Sequence, residues 1–91
     1  MDLLTTHHKY TVMKSQAPEG MIIFFLVGSF YEAYFGDAQT VSDRLSLPLH
    51  KRGEAPCVAV PYHSIYRIQD ELEKKHYLKS IVVTDPRSVN N

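Results

Sequence analysis

Met21-Ile22-Ile23-Phe24-Phe25-Leu26-Val27 is a continuous apolar run rich in β-branched and aromatic residues, with turn formers on either side. A short run of this kind predicts a strand buried on both faces. Gly28-Ser29 follows it, then Phe30-Tyr31-Glu32-Ala33-Tyr34-Phe35. A Gly-Ser pair between two such segments predicts a tight turn and a second, antiparallel strand. Strand alternation places Phe30, Glu32 and Tyr34 on one face and Tyr31, Ala33 and Phe35 on the other.

The rest of the chain resolves into alternating elements. Residues 4–16 hold no Gly or Pro and predict a helix with a weak stripe of Leu4, Tyr10 and Met13, ended by Pro18-Glu19-Gly20. Gly36-Asp37 breaks the second strand. Asp37 is placed to cap a short helix running to Leu45, with Ala38, Val41 and Leu45 on its inner side. Residues 47–51 predict a strand that Pro48 demotes to an edge or bulge. Residues 52–56 read as a loop, and residues 57–60 as a short strand ended by Pro61. Ser64 suits the N-cap of the clearest helix, with Ile65, Ile68 and Leu72 buried and Asp70, Glu71, Glu73, Lys74 and Lys75 facing water. Residues 78–84 predict a last strand. The expected fold is α/β of the α+β kind: a mixed, mostly antiparallel sheet packed with about three helices. It forms a single domain over residues 1–86, followed by a polar tail over 87–91.

Composition narrows the chemistry. A chain of 91 residues folds as one small domain with a thin stability margin. Its single cysteine, Cys57, excludes an internal disulfide and suits a reducing compartment. The polar start and the shortness of the apolar run predict a cytoplasmic protein with neither signal peptide nor membrane span. Ten basic residues balance ten acidic ones, so overall charge does not favour a nucleic acid. The local distribution is uneven: Glu32, Asp37 and Asp43 outweigh Arg44 in the middle of the chain, whereas Lys51, Arg52 and Arg67 outweigh Glu54 just after it.

Phe30 and Glu32 form the one unusual pair. An aromatic ring can enter a base stack at a weak step, and a carboxylate beside it can engage the edge of the disturbed base. Phe in a strand is more commonly core, however, and Glu more commonly solvated, so the pair alone does not decide. Five segments occur in order: Lys9-Tyr10, Gly28-Ser29-Phe30-Tyr31-Glu32, Asp37-Ala38, Leu49-His50-Lys51-Arg52-Gly53 and Val60-Pro61-Tyr62-His63. In order and spacing they resemble the N-terminal mismatch-recognition domain (domain I) of MutS DNA repair proteins, over nearly the whole chain. The resemblance implies that Phe30 stacks on a mispaired base, that Glu32 is its hydrogen-bonding partner and that Tyr31 is a core residue between them. It also implies that Lys51 and Arg52 lie near the sugar-phosphate backbone. Lys9 is a further candidate phosphate contact.

The chain departs from the family pattern. Ser29 stands where an aspartate is usual, Ala59 where a glycine is usual, and the basic closing segment is missing after Pro86. A phosphate-binding loop is also absent, so no ATPase is expected from these residues, nor the clamp that encircles DNA. His63 reads as a helix-start residue, His7-His8 as solvent or core positions without ligand spacing, and Cys57 as inert core. No metal, cofactor or catalytic residue is expected. Two functions stay open: weak, ATP-independent binding of duplex DNA carrying a mismatch or small loop, and docking on full-length MutS or another repair or recombination protein.

Overall fold

A computed structural model describes residues 2–89, and the last two residues of the expected tail lie outside the described residues. Helix α1 (Leu3–Gln16) begins at Asp2, whose carboxylate accepts the Thr5 amide at 2.8 Å. Its inner side is Thr6 and Tyr10, with Met13 and Ala17 partly packed; Leu4 points to water, which corrects the expected stripe. Thr6 can be buried because its hydroxyl donates to the Asp2 carbonyl one turn back.

Strands β1 (Ile22–Val27) and β2 (Phe30–Tyr34) form the predicted hairpin, with Val27 opposite Phe30. Gly28 opens the two-residue turn at φ +62°, a conformation that suits Gly at the first turn position of a type II′ hairpin. Helix α2 (Phe35–Leu45) starts directly after β2 and buries Ala38 and Val41. Strand β3 (His50–Arg52) is shorter than expected and includes Arg52, whereas β4 (Ala55–Pro61) is longer and includes Pro61 at its end. Helix α3 (Ile65–His76) buries Ile65, Ile68 and Leu72 as predicted, and β5 (Ser80–Val83) closes the regular structure.

The sheet order is β3-β4-β2-β1-β5, with β5 parallel to β1 and the other pairings antiparallel. The α+β expectation holds. Central β1 is buried on both faces, and the sheet divides two cores. Tyr31, Ala33, Val58 and Val60 pack under α2 and α3, while Phe25, Tyr34 and Cys57 pack under α1. Val89, assigned by composition to the tail, is buried in this second core. A 3₁₀ turn over Pro86–Ser88 carries the chain there.

The two capping expectations part. Ser64 is the N-cap residue of α3 as expected, but its side chain makes no cap bond. Asp37 is not the cap of α2: the helix starts two residues earlier, at Phe35, which takes the left-handed φ of +56°. That turn also removes Phe35 from the strand face assigned to it. Asp37 is instead buried, accepting from Lys14 Nζ at 2.8 Å and from the Ile23 amide at 3.1 Å, with the Tyr10 hydroxyl at 2.7 Å. One carboxylate thus ties α1, β1 and α2 together.

Candidate nucleic-acid interface

Phe30 is the exposed end of a buried strand. It keeps 45% of its surface, whereas Tyr31, Glu32, Ala33 and Tyr34 are all buried. The register places Phe30 opposite Pro61. Pro61 and Ala59 are exposed on the same side of the sheet as Phe30, because residues two apart along β4 share a face. The amide of Tyr62 donates to the Ser29 carbonyl at 2.9 Å, which fixes the start of the following turn to the hairpin. Tyr62 itself is mostly exposed. The corner formed by the hairpin end and the end of β4 is therefore apolar, aromatic and accessible. It is held by backbone hydrogen bonds rather than by mobile side chains.

Glu32 shares this face, as alternation requires, but not the exposure. Its side chain retains 6% of its surface. One carboxylate oxygen accepts the Tyr34 hydroxyl at 2.5 Å and lies 3.3 Å from Arg52 Nε, and the other lies 3.0 Å from an Arg52 terminal nitrogen. The guanidinium thus spans both oxygens as a fork. Burial, and then the hydrogen bond to Glu32 and its negative charge, raise the Tyr34 phenol far above the ordinary range, so it stays protonated and donates.

The surroundings are tightly packed. Edge-on contacts join the His7 ring to Tyr34 and Phe35, at centroid separations of 4.8 and 5.4 Å. Its Nε2 is buried and meets no hydrogen-bond partner among the described residues. Burial holds the imidazole below the usual histidine range, opposed by the charge of Glu32 and reinforced by that of Arg52. Cys57, paired with Tyr34 across β2 and β4, has its thiol pushed up to about 12, first by burial and then by the Glu32 charge.

The basic candidates separate. Arg52 reaches Glu32 on the α1 side of the sheet while remaining 46% exposed. Lys51, its neighbour in β3, is exposed on the opposite face, since adjacent strand residues alternate. Lys9 donates to the carbonyls of Arg87 and Val89 at 3.3 and 2.7 Å, and so anchors the C-terminal segment to α1. The β3–β4 turn is set by Gly53 at φ +63°; a Cβ there would meet Leu3 Cδ2 at 2.5 Å. Leu3 therefore seats α1 against the turn that carries Arg52. The sequence reading placed Tyr34 beside Glu32 by alternation, but assigned no role to Tyr34, His7 or Tyr62. Only the pairing of β2 with β4 and the cover supplied by α1 bring them to the site.

Among the described residues, no three His, Cys, Asp or Glu side chains are grouped as a metal site, and no helix is long and apolar enough to cross a membrane. The arrangement leaves the Phe30 ring exposed and buries a paired carboxylate on the same face.

The fold and this corner define a small α+β domain with an exposed aromatic surface. The family model described as MutS domain I matches residues 5–86, and the chain belongs to that family. It is 36% identical over 81 residues to the DNA mismatch repair protein MutS of Thermotoga neapolitana, covering 89% of this chain and 10% of that protein. It is 38% identical over 88 residues to MutS of Pseudothermotoga lettingae, covering 94% of this chain and 11% of the relative. Over 61 residues it is 43% identical to MutS of Fervidobacterium nodosum, which covers 67% of this chain and 6% of that one. The chain spans about a tenth of the length of the first two relatives.

Proposed function

We propose that this domain binds mismatched or distorted duplex DNA, with Phe30 as a wedge at the weakened step and Glu32 as a contact to the base edge. Lys51 and Arg52 supply phosphate contacts, and Lys9 joins them where it leaves its two carbonyls. The observation that carries this reading is the exposure of Phe30 at the end of an otherwise buried strand, on a corner held rigid by the Gly28-Ser29 turn and the Tyr62–Ser29 hydrogen bond. A half-exposed aromatic ring on a rigid corner suits insertion between bases.

The energies favour discrimination over tight binding. Stacking one base on an aromatic ring contributes about 1–3 kcal/mol. Separating a base step costs a few kcal/mol, and less at a mismatch. With zero net charge and few cations near the corner, the complex belongs in the non-specific range of about 10⁻⁴–10⁻⁶ M. The binding needs no nucleotide and no catalysis by this domain.

A second reading is supported by the outer strand β5. Its Ile81-Val82-Val83 carries no charged residue, and an edge of this type accepts a strand from another protein. Docking on MutS or another repair protein would use it.

Fluorescence anisotropy at low salt tests the first reading, comparing a labelled duplex bearing one G·T mismatch or one unpaired T with its fully paired twin. Tighter binding to the defective duplex is the expected result. Equal binding, or none, leaves the docking reading, and a pull-down with purified MutS comes next.

A further inference from the structure

Arg52 has two possible acceptors. Inward, it clamps both oxygens of Glu32. Outward, nearly half of its side chain is open to solvent. Its Nε and one terminal nitrogen face Glu32, so its remaining N–H groups are where a phosphate first engages. A phosphate takes the Glu32-facing pair of N–H groups only by displacing the carboxylate. We infer that Arg52 is a positioning residue that locks Glu32 while the domain is free, and that a DNA phosphate competes for the guanidinium and so releases the carboxylate. This inference rests on the DNA-binding reading and names the step that would regulate its carboxylate.

Three observations converge on it. Glu32 is nearly inaccessible as it stands, so a base edge reaches it only after the cover is loosened. The Tyr34 hydroxyl remains on one oxygen when Arg52 leaves, so the freed carboxylate keeps one donor and a fixed direction. His7 stands next to the pair with a buried Nε2 that this arrangement leaves unpartnered. Buried polar atoms without partners are rare in folded proteins, and this nitrogen can take a hydrogen bond when either group of the ion pair shifts. Backbone engagement then precedes base engagement, and Glu32 is withheld from any partner that does not bring a phosphate to Arg52.

The test is a double-substitution cycle read on the fully paired duplex, so that it does not depend on mismatch preference. Glu32→Gln weakens the lock and is expected to tighten binding to paired DNA. Adding Arg52→Met to it should abolish that gain and flatten the log affinity–log salt slope by about 0.9, the value of one phosphate contact. The inference is overturned if Glu32→Gln gives the same gain with and without Arg52, because simple relief of repulsion would then suffice. A measurement on the unaltered chain guards against variants that fail to fold. The Arg52 Nε–Hε resonance and the Glu32 carboxyl ¹³C resonance should shift together as paired duplex is added, and an unmoved Glu32 signal at saturation sinks the idea. If the cycle behaves as expected while mismatched and paired duplexes bind the unaltered chain equally, the lock stands and the mismatch reading fails.

Discussion

The Tyr10 hydroxyl lies 2.7 Å from the Asp37 carboxylate, joining the middle of α1 to the first turn of α2. The same hydroxyl also lies against the Ile23 carbonyl, and its single proton serves one acceptor at a time. Burial, followed by the Asp37 charge, raises the phenol far beyond its ordinary range. It therefore stays a donor at every working pH. The carboxylate gains the Ile23 amide and Lys14 as further partners.

Removing this hub should be expensive. Asp37→Ala leaves the buried Ile23 amide without its acceptor and takes one of two acceptors from the Tyr10 hydroxyl and the Lys14 ammonium, a loss of about 2–4 kcal/mol in a small domain. Urea unfolding monitored by circular dichroism should show the midpoint fall with an unchanged slope. A midpoint within error of the parent would mean that Asp37 is dispensable for packing.

Phe30→Ala should separate binding from folding. The ring is half-exposed, so its removal is expected to shift stability by no more than about 1 kcal/mol. Any preference for the mismatched duplex should disappear in the anisotropy assay, with paired-duplex affinity little changed. If the variant does not fold, Phe30 is core and the wedge reading fails.

Stability should decline with acid through His7. Its folded value lies below the unfolded one, so the unfolded chain binds the proton more readily and stability rises with pH across that interval. The contribution is complete above the ordinary histidine value of about 6.5 and is lost as pH falls below it. Thermal melts between pH 7.5 and 5 should show a shallower pH dependence for His7→Phe than for the parent. Parallel curves would exonerate His7.

Cys57 should resist alkylation while the domain is folded. A thiol pushed up to about 12 and buried has almost no thiolate at pH 8. Iodoacetamide labelling followed by mass spectrometry should track global unfolding in urea. Rapid labelling in buffer would show that the β2–β4 region opens locally.

Gly53→Ala tests the seating of α1. The positive φ opposes a side chain, for a loss of about 1–2 kcal/mol, while the partly exposed tip of Leu3 swings aside. The Arg52 Nε–Hε signal should broaden or move in the same variant, because a side chain at this positive φ strains the turn that carries Arg52. A sharp, unmoved signal would separate the turn from the Glu32 site.

Local rules carried much of this structure. The apolar run of β1, the Gly28-Ser29 hairpin and the Ile65, Ile68, Leu72 stripe follow from period, turn chemistry and β-branching, so they were legible residue by residue. Alternation also placed Phe30, Glu32 and Tyr34 on one face. What the sequence could not determine was which members of that face meet water. The difference between exposed Phe30 and buried Glu32 arises because Tyr34, Arg52 and His7 of α1 close around Glu32, while Phe30 stands at the end of the hairpin. The partners of Glu32, Asp37 and Lys9 were equally hidden: Arg52 lies two strands away, Tyr10 and Lys14 on another layer, and the Arg87 and Val89 carbonyls near the far end of the chain. Backbone periodicity is a property of neighbours in sequence. Burial and ion pairing are set by which layers come together, and that was decided only in three dimensions.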